Sequence, residues 1–229
     1  MSEMFKKLIE LPNHPTPLEF SPKGHLKFRD KPYPWSIVEK EFDFLYNTIA
    51  ENNLKRGFEA CTGIGMSALA AGLAMKQTGG LLVTIDAYIE EHIGSPHYAN
   101  QTPMVIENSM GFKNINFLIA HFQLENHLIP EVGWSPDDVP TKIEKHFTAP
   151  LDYVFIDGGH FDHQVLKDIK CILPYTNQET HWLFHDVDEH NGWNEEAHDF
   201  CYNVLKKSIK IMLPHSQGCE NLSILVDSE

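Results

Sequence analysis

An apolar run that stops on an acid and two glycines, with a helical pattern starting at once, constrains this chain more than any other feature. The stretch is LDYVFIDGGHFDHQVLKD, beginning at Leu151 and ending at Asp168. Tyr153 to Ile156 reads as a strand buried on both faces, and Val165, Ile169 and Ile172 recur at helical spacing. Asp157, two glycines and His160 follow the strand directly. In open α/β sheets ligands sit just beyond the carboxyl ends of the strands. Asp157 and His160 are therefore candidate chemistry residues.

The same alternation recurs along the chain. Arg56 to Cys61 reads as a strand, Gly63 to Gly65 as a turn and Met66 to Lys76 as a helix. Leu81 to Ile85 is a second strand ending in Asp86. Thr102 to Met110 is expected to be helical and Asn116 to Ala120 to be the third strand. Residues 130 to 140 hold three prolines and read as loop, followed by a short helix over Lys142 to Phe147. His181 to Phe184 is the fifth strand, ending in His185-Asp186, and Glu195 to Lys206 is a helix. Ile209 to Leu213 and Asn221 to Asp227 close the chain, joined by a turn short enough for antiparallel pairing. The pattern predicts an α/β, Rossmann-like fold: a seven-stranded, mostly parallel sheet with an antiparallel C-terminal hairpin and helices on both faces.

Ahead of this domain, Pro12, Pro15, Pro17, Pro22, Pro32 and Pro34 rule out a long helix and predict an extended arm. Ser36 to Asn53 then carries Ile37, Phe42, Leu45 and Ile49 on one helical stripe. The expected division is an arm and cap helix over 1–53 and a catalytic domain over 54–229. The polar segment from Ala87 to Asn100 reads as a loop able to close over a site, and a proline-rich arm makes a homodimer an expectation.

Net charge bears on partners. At −14, with no basic run, the chain would repel a phosphate backbone, so nucleic acid is not an expected partner. No window approaches a membrane span and the first residues hold no apolar signal core, so the expectation is a soluble, cytoplasmic protein. The four cysteines form no C-x-x-C pair and read as reduced thiols.

The string FEACTGIGMSALAAGLA, starting at Phe58, ends one strand and opens a helix. Glycines there let backbone approach a ligand, and a helix N-terminus offers free N–H groups. Asp86 follows about twenty residues beyond Gly65, where a carboxylate can accept from ribose hydroxyls. G-I-G-M-S-A also satisfies the G-x-G-x-x-A form used for dinucleotides, which leaves an NAD-dependent oxidoreductase open. With Glu59 added, E-x-x-x-G-x-G-x-S resembles the first motif of class I S-adenosylmethionine-dependent methyltransferases, usually E-x-G-x-G-x-G, with Cys61 in place of the first glycine. That resemblance implies that Glu59, Cys61, Gly63, Gly65, Ser67 and Asp86 line S-adenosylmethionine. It also implies that the segment after strand three, with His121, lies near the adenine.

Neighbouring parallel strands are ~5 Å apart, so the ends of strands four and five can bring Asp157, His160, His185 and Asp186 into one cleft. Carboxylates and imidazoles gathered there suit a divalent metal, with His160 alternatively a general base. A metal-dependent hydrolase or lyase on the same sheet would use the same cluster. F-I-D-G-x-H before a helix, then a strand ending in H-D, resembles the methyltransferase 24 family of small O-methyltransferases. The resemblance spans roughly Arg56 to Asp188. It implies methyl transfer from S-adenosylmethionine to an oxygen of a small-molecule acceptor, with Asp157, His185 and Asp186 at a metal such as Mg²⁺ or Mn²⁺. A histidine among the ligands shifts the choice from Mg²⁺ toward Mn²⁺, Fe²⁺ or Zn²⁺.

Overall fold

The computed structural model describes residues 39–87, 110–159, 163–185, 198–213 and 222–227, with Ile37 and three short N-terminal strands. Those strands, Glu19–Phe20, Leu26–Phe28 and Lys31–Pro32, form a separate antiparallel sheet. The rest of the expected arm, the loop over 88–100, His160, and the segment from Asp186 to residue 197 lie outside the described residues.

The main sheet contains β1 (Arg56–Ala60), β2 (Leu81–Asp86), β3 (Leu128–Val132), β4 (Tyr153–Ile156), β5 (His181–His185), β6 (Lys207–Leu213) and β7 (Leu222–Asp227). Their order is β3-β2-β1-β4-β5-β7-β6. β1 to β5 pair in parallel, and β7 runs antiparallel to both β5 and β6. Chain order reverses between β1 and β4, which makes the ends of those two strands the switch point where such sheets hold ligands.

Side-chain alternation sorts the core into two layers. Tyr153 and Phe155 join Leu82 and Leu183 against α1 (Glu39–Glu51), α2 (Met66–Thr78) and α3 (Met110–Phe122). Val154 and Ile156 join Phe58, Val83 and Phe184 against α4 (Val139–His146) and α5 (Gln164–Ile172). β4 is buried along its whole length, as its unbroken apolar run requires.

The third strand is the main correction. Asn116 to Ala120 is not a strand; it belongs to α3. Ile115, Leu118 and Ile119 repeat at helical spacing and are buried, while Asn116 and Ala120 are exposed. The strand is LIPEV, whose Pro130 read as loop. A proline is tolerated there because β3 is the sheet's edge and one side of it needs no ladder bond. The helix expected over 142–147 starts earlier, at Val139, with Pro140 in its first turn. The last helix is described from His198 and ends in a π-helical turn, Cys201–Leu205. Among the described residues no helix is long and apolar enough to cross a membrane.

Candidate functional site

The glycine turn is built where β1 ends. Cys61, Gly63 and Gly65 all take left-handed φ values, +80°, +52° and +87°. Cys61 thus adopts the conformation that a glycine would hold there, at a cost of roughly 1–2 kcal/mol for a residue with a Cβ. At Gly65 a Cβ would meet Ile115 Cδ1 at 2.6 Å, so the close approach of α3 demands glycine. Asn114, buried on α3, donates from Nδ2 to the Ile64 carbonyl and holds the turn from that side.

Strand register then delivers the acids. Glu59 pairs with Thr84 on β2 and Phe155 on β4. It is buried, and its carboxylate accepts from the Ser67 hydroxyl in the first turn of α2. Burial pushes its pKa up to about 8; the Ser67 and Thr84 hydroxyls pull the other way, and the charges of Asp157 and Asp86 push it up further. Asp86 Oδ2 accepts from the Gly63 N–H at 2.7 Å and lies 3.6 Å from Cys61 Sγ. Burial, then the charges of Asp86, Asp157 and Glu59, hold the Cys61 thiol well above its ordinary range. Three acidic side chains, Asp86, Asp157 and Glu59, therefore lie around one thiol at the switch point.

On the other side, His185 ends β5 and is buried. Its Nδ1 is 3.2 Å from Asp157 Oδ1, and its Nε2 is 3.4 Å from Glu41 Oε2 on α1. Asp157 is partly exposed at the end of β4, and its backbone N–H bonds the Ala60 carbonyl across to β1.

The loop after β3 forms a further wall. Its Trp134 is 50% exposed, an unusual position for so large an apolar group. Ser135 is tied to α5: its hydroxyl donates to Asp168 Oδ1, and Gln164 Nε2 donates to both Ser135 O, at 2.9 Å, and Asp168 Oδ1, at 2.8 Å. Asp168 is fully buried, and burial pushes its pKa up to about 6 against those two hydrogen bonds.

The structure thus gathers Glu59, Cys61, Gly63, Gly65, Ser67, Asp86, Asp157 and His185 at one end of the sheet. His160 and Asp186 lie outside the described residues. His121 does not join the cluster. It sits exposed on the last turn of α3, stacked on Phe117. Lys76 Nζ donates to the neighbouring Phe122 carbonyl, which anchors this end of α3 roughly 16 Å along α2 from Gly65. Because Asn116–Ala120 is helix, the segment that follows the third strand is Gly133–Asp138, not the Ala120–Phe122 stretch expected to lie near the adenine. The sequence did carry a signal for that loop, a Gly-Trp-Ser-Pro turn after an apolar run. Nothing in the local pattern marked Glu41, which sits within an ordinary amphipathic helix.

The family model described as "Methyltransferase domain" matches residues 59–187. Among solved structures, the O-methyltransferase TomG from Streptomyces achromogenes, involved in tomaymycin synthesis and in complex with SAM, superposes with a TM-score of 0.65 at 14% identity. The match covers 85% of this chain and 82% of that one. An O-methyltransferase from Bacillus cereus in complex with SAH gives 0.62 at 13% identity, covering 84% and 83% of the two chains. The SAH-bound methyltransferase PaMTH1 from Podospora anserina gives 0.61 at 14% identity, covering 89% and 83%. At these identities the likeness is one of fold.

Proposed function

Because the chain belongs to the methyltransferase family matched over residues 59–187, we propose that it transfers a methyl group from S-adenosylmethionine to an oxygen of a small-molecule acceptor. The observation that carries this reading is the contact between the Asp86 carboxylate and the Gly63 N–H, 2.7 Å apart beside Asp157 at the switch point. An acid and a glycine turn so joined suit a ribose and an amino-acid tail. Asp86 takes the ribose hydroxyls, the turn over Gly63 and Gly65 takes the methionine portion, and Trp134 offers a face to the adenine. The acids Glu59, Asp86 and Asp157 favour the positive sulfonium and ammonium groups. The complexes of TomG with SAM and of the Bacillus cereus enzyme with SAH agree with that choice of cofactor.

A divalent metal is tested by the donors present. Asp157 Oδ1 and His185 Nδ1 stand 3.2 Å apart, as two ligands of one ion do when each bond is ~2.0–2.2 Å. Among the described residues no three acid, histidine or cysteine side chains form a metal-binding group, and the third expected donor, Asp186, lies outside them. The pair fits an ion that accepts mixed nitrogen and oxygen donors, Mn²⁺ more readily than Mg²⁺. When bound, such an ion would lower the pKa of the acceptor hydroxyl. The chain's own contribution is positioning: the cradle fixes the sulfonium, and Asp157 marks where the acceptor oxygen must lie for in-line transfer.

Calorimetry with S-adenosylhomocysteine and with NADH tests the reading. Saturable binding of S-adenosylhomocysteine, with none for NADH, is expected. Binding of NADH alone would move the chain to the oxidoreductases. A screen of hydroxylated acceptors with and without chelator then identifies the acceptor class and any dependence on metal.

A further inference from the structure

Asp168 stands on the buried stripe of α5 with Val165, Ile169 and Ile172. Its side chain is fully buried, and a carboxylate there is unfavourable unless its oxygens are bonded. The two oxygens are used differently. Oδ1 accepts from the Ser135 hydroxyl and from Gln164 Nε2. Oδ2 has no hydrogen-bond partner among the described residues. It is packed against the turn after β4, where a Cβ on Gly158 would lie 2.9 Å from it. One planar carboxylate therefore touches both the residue after Trp134 and the residue after Asp157.

The loop that carries Trp134 is fixed on its other side as well. The Gly133 N–H bonds the Asp86 carbonyl at 3.0 Å, and the Trp134 N–H donates to Asp138 Oδ2 at 2.8 Å. Gln164 Nε2 also holds the Ser135 carbonyl at 2.9 Å. Trp134 is thus held between Asp86, the acid assigned to the ribose, and Asp168. A shift of the tryptophan that draws on Ser135 draws on Asp168 Oδ1. The two oxygens of a carboxylate move as one plane, so Oδ2 then presses on Gly158 or retreats from it. Close-packed contacts of this kind transmit displacement.

We propose that Asp168 is a positioning residue that links the two halves of the crevice. It carries the placement of Trp134, on the cofactor side, to the turn that bears Asp157, on the acceptor side. The assignment of those sides rests on the function proposed above; the link itself does not. Coupling between two sites is reciprocal, so a change at either end appears at the other.

Backbone and indole ¹H–¹⁵N spectra of the full chain read both ends at once, through the Gly158 amide and the Trp134 indole. Ser135→Ala removes the bond to Oδ1 and is expected to shift the Gly158 amide with no ligand present. Ser135→Thr, which keeps the hydroxyl, is expected to leave that amide near its wild-type position. Gly158→Ala, whose Cβ drives Oδ2 aside, is expected to shift the Trp134 indole. A Gly158 amide unmoved by Ser135→Ala, or moved equally by Ser135→Thr, overturns the proposal. So does a Trp134 indole unmoved by Gly158→Ala. The two variants perturb opposite ends, so if one fails to fold the other still decides. Saturating wild type with S-adenosylhomocysteine is expected to shift both signals, and in Ser135→Ala the Gly158 response is expected to shrink. An undiminished response there overturns the link from cofactor to turn. Absence of S-adenosylhomocysteine binding overturns the methyltransferase reading alone, because the ligand-free spectra still decide the link.

Discussion

Asp86 Oδ2 accepts a hydrogen bond from the backbone N–H of Gly63 at 2.7 Å. The end of β2 is thereby tied to the turn after β1, across the mouth of the crevice. The carboxylate is held in place by backbone, so it need not be ordered when a ribose arrives. Preorganisation of this kind spares the entropy of fixing a side chain on binding.

Asp86→Ala is expected to weaken S-adenosylhomocysteine binding by roughly 10–100-fold, the loss of hydrogen bonds to a charged group worth ~1.5–3 kcal/mol. Calorimetry reads the affinity, and circular dichroism checks that the fold persists. An affinity equal to wild type would remove Asp86 from the ribose.

The two turn glycines differ in their reasons for being glycine. At Gly63 a Cβ would meet nothing within 4 Å, so only its φ of +52° resists substitution. At Gly65 the φ is +87° and Ile115 Cδ1 stands 2.6 Å from a Cβ. Gly63→Ala is expected to cost about 1 kcal/mol, lowering Tm by roughly 2–4 °C for a chain of this size. Gly65→Ala should lower Tm by at least twice as much. Melting curves in the same order, or reversed, decide whether α3 packing or backbone strain governs the turn.

Glu59 carries the pH dependence. Its folded pKa is about 8 against an ordinary 4.5, chiefly from burial. Between those values the unfolded chain has lost the proton and the folded chain keeps it. The folded state binds more protons, so stability falls as pH rises through that window. The span corresponds to about 5 kcal/mol at most. Glu59→Gln, which mimics the protonated acid, should match wild type near pH 5 and exceed it near pH 8 in chemical denaturation. A constant difference across pH would rule out this assignment. S-adenosylmethionine binding near pH 7 should also release a proton, because its positive groups favour the ionised acid; calorimetry in buffers of different ionisation enthalpy measures this.

Ser135 and Asp168 join the loop after β3 to α5. Ser135→Ala leaves buried Asp168 Oδ1 with only the Gln164 bond among those described. The cost is expected to be ~1–3 kcal/mol. Asp168→Asn combined with Ser135→Ala should cost less than the two changes apart, since they remove one shared network. Additive costs in denaturant unfolding would show the two residues to be independent.

Much of this architecture was written in local pattern. Short apolar runs buried on both faces mark β1, β2, β4 and β5, and 3.6-residue spacing marks α1 and α5, because burial on a sheet face or a helix stripe follows backbone geometry. Glycines at 63 and 65 and acids at 86 and 157 stand at strand ends for the same reason: turn chemistry and chain reversal are local. The expected strand over 116–120 failed because a short apolar stretch satisfies both periods, and Pro130 concealed a strand that only its edge position permits. Three relationships needed the tertiary fold. Sheet order sets β4 beside β1 and bonds the Asp157 N–H to the Ala60 carbonyl. Helix α1 packs across that layer and brings Glu41 to His185, two residues 144 positions apart in a chain of 229. Helix α5 reaches back to Ser135 through Asp168. No local rule foresees these pairings, because contacts between distant segments are fixed by which buried faces fit together. The sequence alone determined a cradle and an acid beside it; packing decided what holds them.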